Sequence, residues 1–264
     1  MATIAENIQT LRSIKSDIKN AIIQKGGSVT DAFGTYAQAI TNLPSGGGGT
    51  EIEDALVTRT LSVYSNDRVS EVGSYAFARC RFLSTVNLPK ITFLGDGAFY
   101  YCISLTSIDL PICSKVSKSA FYACYSLSSV KLPNCSHINN NAFGYCWSLT
   151  SVNLPKVKTL GTNTFNYCSA LTSINLPNCT DFDYGTFAHC TNLTQVYLNS
   201  VSRVTTIYYD TFSNCPNLTS IYVPASLVDA FKTAQYWSSM STKIVAYGAV
   251  IEENPGGGVP PIID

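Results

Sequence analysis

Seven phenylalanines, Phe77, Phe99, Phe121, Phe143, Phe165, Phe187 and Phe212, recur along the chain, and each is followed three residues later by a cysteine, from Cys80 to Cys215. The step between them is 22 residues five times and then 25. A unit this short cannot bury an apolar face alone, so copies must stack and share one continuous core. The repeat dictates a solenoid over most of the chain.

Aligned on the phenylalanine, the copies read A/T-F-x-x-C-x-x-L-x-x-V/I-x-L-P. The alternation in Ile108-Asp109-Leu110 is a period-two signal for a short strand with one inward face. Pro89, Pro111, Pro133, Pro155, Pro177 and Pro224 end these strands, since proline donates no ladder hydrogen bond. Each repeat is expected to supply one strand, paired in parallel with its neighbours at about 4.7–4.9 Å, in a sheet on the order of 30 Å long. The phenylalanine falls on the return stretch and should stack on its counterparts.

Both ends of a solenoid expose apolar surface unless capped. Residues 55–64, followed by Val69, Val72 and Phe77, suit a degenerate first repeat. Ser226 to Trp237 carries a helical stripe of Leu227, Ala230, Phe231 and Ala234, and with the strand-like 243–247 it suits a C-terminal capping helix. Asn199 stands where other repeats have proline, and the longer last step should bulge one turn near Val201 to Tyr209.

Seven of the ten cysteines share one repeat position; Cys113, Cys135 and Cys179 share another, where Ile91 and Val157 stand in other copies. A position shared by Cys, Ile and Val is a packing position, so reduced inward thiols are expected in preference to disulfides. No C-x-x-C pair or Cys/His cluster is present, and His137 and His189 are isolated, so neither a metal nor a cofactor is expected. No P-loop, dinucleotide fingerprint or nucleophile elbow occurs, and enzymatic activity is not expected. The Asn-x-Thr triplets at Asn178, Asn192 and Asn217 lie within the repeat consensus and read as structural.

Seventeen basic residues balance 17 acidic ones and the charged fraction is 13%, which leaves no footprint for nucleic acid or acidic lipid. The start, MATIAENIQTLRSIK, lacks the apolar run of a signal peptide, and no stretch approaches a membrane span, so neither export by that route nor membrane insertion is expected.

Residues 1–45 are a different object. Ile4, Ile8, Leu11, Ile14, Ile18 and Ile22 mark an amphipathic helix ended by Gly26-Gly27, and a second short helix over about 30–42 follows. Such a hairpin is too small to be stable alone, so it is expected to find its core in sister copies, as a homo-oligomer, or on a partner. Residues 46–50 are a glycine-rich linker, residues 51–247 the repeat array with its caps, and 248–264 a tail expected to be flexible.

Function is sought at variable repeat positions. Around the cysteine column these are Tyr100, Tyr101, Tyr122, Tyr125, Tyr145, Trp147 and Tyr167, which stacking would bring into one aromatic strip. Tyrosine and tryptophan suit recognition because they join a large rigid area to a polar tip; the alternative is that the rings cover the core edge. On the strand face, the Ser/Thr flanks of Asn87, Asp109, Lys131, Asn153, Asn175, Tyr197 and Tyr222 suit a hydrogen-bonded sheet surface better than an epitope.

The repeated A-F-x-x-C-x-x-L-x-x-I-x-L-P core and the ending Val-Pro-Ala-Ser-Leu-Val-Asp-Ala-Phe-Lys resemble the BspA-like leucine-rich repeats of bacterial surface proteins and some bacteriophage proteins. That resemblance implies an α/β solenoid, a leucine-rich repeat array with a parallel β-sheet. The opening Met-Ala-Thr-Ile-Ala-Glu-Asn-Ile-Gln-Thr, followed by Ile-Lys-x-x-Ile-Lys-x-Ala-Ile, resembles N-terminal segments of tail and fibre proteins of phages infecting gut bacteria. Together they imply a virion structural protein of fibre or decoration type. Its N-terminal helices would engage a capsid or tail protein, and its repeats would bind a host-surface protein or glycan. The alternatives are a bacterial cell-surface adhesin of the BspA-like type and a cytoplasmic scaffold.

Overall fold

A computed structural model describes residues 62–248. The expected N-terminal helices, the linker, residues 55–61 and the tail from 249 onward lie outside the described residues.

Each repeat forms one turn of a solenoid with three segments. The first is the expected strand: Val63–Ser65, Thr85–Asn87, Ser107–Asp109, Ser129–Lys131, Ser151–Asn153, Ser173–Asn175, Gln195–Tyr197, Ser220–Val223 and finally Ile244–Ala246. All paired neighbours are parallel, and the register steps by one repeat, with Ser107 opposite Ser129 and Gln195 opposite Ser220. The second pairing shows that the longer repeat keeps its register by looping out the extra residues elsewhere. Tyr64 sits opposite Val86, so the degenerate first repeat takes its place at the N-terminal end of the described array.

Two expectations are corrected. This strand column is not one sheet but three ladders, of two, three and four strands, with breaks after Thr85–Asn87 and after Ser151–Asn153. Those are the strands whose central Val86 and Val152 are only half-buried, and at the first break the Thr106 N–H reaches the Ser84 carbonyl at a long 3.4 Å. A second strand per repeat also exists and is the unbroken one. Glu71–Val72, Phe93–Leu94, Lys115–Val116, His137–Ile138, Thr159–Leu160 and Asp181–Phe182 form a six-stranded parallel sheet. In the repeat with the longer step this strand shrinks to a single bridge between Asp181 and Thr206.

The third segment is a run of turns carrying the phenylalanine and cysteine. Here the N–H groups point to the following turn of the solenoid, as in Phe77 to the Ala98 carbonyl at 2.8 Å and Phe99 to that of Ala120 at 2.7 Å. The phenylalanine rings stack from Phe77 to Phe212 at centroid spacings of 5.1 to 5.6 Å, within 7° of parallel. All ten cysteines are buried as free thiols. From Cys102 onward each member of the main column donates its thiol to the phenylalanine carbonyl of the repeat before, at 3.0 to 3.2 Å. That bond gives cysteine something a plain aliphatic side chain lacks: a second donor to a core carbonyl that already accepts the N–H of the cysteine three residues on.

At the C-terminal end the α-helix spans only Val228–Thr233, between 3-10 segments at Ala225–Leu227 and Ser238–Lys243, and is shorter than the apolar stripe suggested. Phe231 is buried, but Ala230 is exposed. The end of the core is covered chiefly by Trp237, which packs at 5.0 Å on Phe231 and donates its indole N–H to the Thr205 carbonyl at 2.6 Å.

Candidate functional site

The residue two positions after each phenylalanine has left-handed backbone: Arg79, Tyr101, Ala123, Tyr145, Tyr167, His189 and Asn214, with φ between 55° and 62°. For Tyr or Ala that conformation costs about 1–2 kcal/mol. It is held by bonds to the next turn, such as the Tyr101 N–H to the Tyr122 carbonyl at 2.9 Å and the Tyr145 N–H to that of Asn166 at 2.8 Å. The reversal folds the chain tightly after the phenylalanine and leaves the flanking aromatic side chains at the surface of the turn segment.

All seven aromatic residues expected there meet in one network. Tyr100 stacks on Tyr122 at 5.3 Å, Tyr122 contacts Tyr145 at 5.3 Å, and Tyr145 stacks on Tyr167 at 4.6 Å. A branch runs from Tyr101 edge-on to Tyr125 at 6.0 Å, and from there to Trp147, stacked at 4.2 Å. The tyrosines are half-buried and Trp147 is 47% exposed, so the rings lie partly against one another and partly open to solvent. The strip therefore covers part of the core edge and keeps part of its ring area open to solvent.

Two members escape a reading of the sequence. Tyr75 meets Tyr100 edge-on at 6.4 Å, and His189 stacks on Tyr167 at 4.1 Å. His189 shares its repeat position with Tyr101, Tyr145 and Tyr167, and that column was the available signal. Tyr75 gave none, because its equivalents are Gly97, Ser119, Asn141, Asn163 and Gly185. Gly97 makes room for it: a Cβ would lie 2.3 Å from the Tyr75 ring.

The ribbon is neutral and non-nucleophilic. Burial, then the neighbouring phenols, hold Tyr122 above the ordinary phenol range, and Tyr100 is raised by burial first and by the Tyr101 phenol. Both therefore stay protonated donors near neutral pH. Burial likewise raises the thiols of the second cysteine column, Cys113 to about 11 and Cys135 to about 12, which keeps them unreactive. Among the described residues, no group of three or more His, Cys, Asp or Glu side chains is placed to hold a metal. No helix among them is long and apolar enough to cross a membrane.

The strand face is occupied by its own bonds. Ser128, Thr150 and Thr194 donate their hydroxyls to carbonyls of the preceding turn at 2.9 to 3.2 Å. Asp109 and Lys131 form an exposed ion pair at 3.8 Å, and Asn87 bonds to Ser65. Asn178 and Asn217 donate their side-chain amides to carbonyls of the preceding turn at 2.8 Å, a structural use for both. The six N-terminal residues Ile4 to Ile22 lie outside the described residues.

The repeat geometry has counterparts among known proteins. A leucine-rich repeat protein of T. pallidum, TpLRR, is 29% identical, with a TM-score of 0.53, over 64% of this chain and 78% of that one. A leucine-rich repeat protein from Bacteroides ovatus is 23% identical over 70% of this chain and 54% of its own, with a TM-score of 0.47. Among curated proteins no sequence matches the chain. Residues 58–172 and 114–243 match the family described as the BspA type leucine rich repeat region, in six copies. The chain is a member of the BspA-type leucine-rich repeat family.

Proposed function

We propose that the chain is a surface-displayed recognition protein of a virion, of fibre or decoration type, whose aromatic ribbon binds a protein or glycan on the host surface. The observation that carries this reading is the joining of seven partly exposed aromatic residues from four successive repeats into one ribbon, whereas Ser and Thr hydroxyls beside the strands are engaged by carbonyls of the preceding turn. Rigid aromatic side chains lose little freedom on binding and contribute large contact areas, which suits them to anchor a partner. The N-terminal segment supports the virion half of the proposal, through its apolar spacing and its resemblance to phage tail and fibre proteins. In this reading Ile4, Ile8, Leu11, Ile14, Ile18 and Ile22 join sister copies or engage a capsid or tail protein.

Membership in the BspA-type family favours a second reading, a bacterial cell-surface adhesin that uses the same ribbon. Light scattering on the full chain separates the two. The virion reading predicts a stable oligomer that Ile8→Asp with Ile18→Asp dissociates, and mass spectrometry of purified virions should contain the protein. A monomer absent from virions would leave the adhesin.

A further inference from the structure

A second site lies at the turn with the longer step. We infer that the groove beside this turn binds a neutral pyranose glycan. The site shares no ring contact with the ribbon among the described residues and does not depend on the ribbon's role.

The extra residues change what this turn presents. Tyr208 stands four residues before Phe212, where the two preceding repeats have Asp183 and Gly161. Its ring stacks on Tyr184 at 3.9 Å, Tyr209 meets Tyr184 edge-on at 6.2 Å, and Tyr236 approaches Tyr209 at 6.5 Å. Tyr184 is 43% exposed and Tyr209 76%, so this cluster keeps much of its aromatic surface open to solvent.

Beside it lies a groove of about 310 Å³, lined by Tyr208, Asp183, Gly161, Asn140, Thr159 and Thr206 among others. That volume falls at the low end of small-molecule sites, about 300–1,000 Å³. The floor is kept low by Gly161, where a Cβ would lie 2.4 Å from the Asn140 side-chain oxygen. Asp183 is held in place: one carboxylate oxygen accepts from the Thr162 hydroxyl at 2.8 Å and the other from the Tyr184 N–H at 2.7 Å. Each oxygen keeps a lone pair for a further donor.

The charge at the rim selects the ligand. Arg203, carried on the inserted stretch, is spent on Asp181, with its guanidinium 3.0 and 3.2 Å from the two carboxylate oxygens. Asp181 is partly buried, yet bonds from Thr180, Thr206 and Arg203 hold it below the usual carboxylate range. Asp183 therefore leaves the groove with a net negative charge, which repels carboxylated sugars. A pyranose ring has one apolar C–H face and a rim of hydroxyl donors. Stacked tyrosines match the face, and a fixed carboxylate flanked by amide and hydroxyl groups matches the rim.

Saturation-transfer NMR on the full chain tests this, with hexasaccharides of glucose, mannose, galactose and N-acetylglucosamine and a galacturonate hexamer as the acidic comparison. At least one neutral hexamer should bind and the galacturonate should not. Tyr184→Ala should weaken that binding about tenfold, and Asp183→Asn should weaken it less, both with an unchanged circular-dichroism melt. Tyr101→Ala with Trp147→Ala should leave it intact. Absence of binding by every neutral hexamer, equal binding of galacturonate, or full affinity in Tyr184→Ala would each overturn the inference. Loss in the ribbon variant alone would overturn it too, by assigning the sugar to the ribbon.

Discussion

Raising the pH should unfold this protein abruptly, because its core is built on thiols that cannot ionise in place. Nine of its cysteines are held above their ordinary pKa, in every case mainly by burial, with Cys215 and Cys113 at about 11 and Cys135 and Cys179 at about 12. In the unfolded chain a thiol titrates near about 8.5. The folded value is the higher one, so the stability tied to each thiol is complete below about pH 8.5 and is lost as the pH climbs toward the folded values. At about pH 9.5 each thiol favours the unfolded chain by about 1.4 kcal/mol, and nine together by about 13 kcal/mol. That loss is comparable to the whole stability of an ordinary domain, about 5–15 kcal/mol. Tyrosines contribute little in this window, since a phenol in an unfolded chain titrates only at about 10. Urea midpoints measured by circular dichroism under reducing conditions from pH 7.5 to 9.5 should hold level at first and then collapse. Replacing Cys124 and Cys146 with alanine lowers the starting stability and cuts the pH dependence by about a fifth, two thiols of nine. A midpoint that stays level to pH 9.5 would refute the premise that the columns are buried, protonated thiols.

Three further outcomes follow from the turn segment. Ala120 and Ala123 are both buried, and glycine at either forfeits a methyl and adds chain entropy, together about 1–2 kcal/mol; at Ala123 glycine also removes a left-handed penalty of similar size. Ala120→Gly should thus lower the urea midpoint while Ala123→Gly leaves it nearly unchanged, and equal losses would mean the column carries no strain. Gly97→Ala, at φ 58° with the Tyr75 ring 2.3 Å from the new Cβ, should lower the thermal midpoint by several degrees, which differential scanning calorimetry would read. Alkylation of the native protein at pH 8, followed by mass spectrometry, should modify Cys215 first, since at 8% exposure it is the most accessible of the thiols. Simultaneous labelling of Cys124 or Cys146, both fully buried, would show that the core opens far more readily than its packing implies.

How much of this was legible depends on which interactions leave a mark on residue type. The phenylalanine and cysteine columns did, because identical neighbours above and below demand the same shape in every copy. The ribbon did for the same reason, since Tyr100 to Tyr167 share positions relative to those columns. The second strand did not. Its two residues include only one inward member, such as Val116 or Ile138, so no alternation announces it, and its strand character comes from pairing with the turns on either side. The left-handed column after the phenylalanine was equally hidden. Arg79, Tyr101, Ala123 and His189 carry no glycine or asparagine signature, and bonds between turns impose the conformation on them. The groove at the longer turn needed the fold, because Tyr208 joins the column of Gly161 and Asp183 only once the extra residues have been looped aside.

The account turns on the ribbon as the recognition surface, and adsorption of the fluorescently labelled full chain to a panel of gut bacterial strains tests it most directly. The strain that binds the protein should lose at least about tenfold in apparent affinity for Tyr101→Ala with Trp147→Ala, the loss expected when two central aromatic anchors are removed. A control on the strand face, Asp109→Ala with Lys131→Ala, should bind as the parent does. Undiminished adsorption by the ribbon variant, or a loss confined to the strand-face control, would contradict the account.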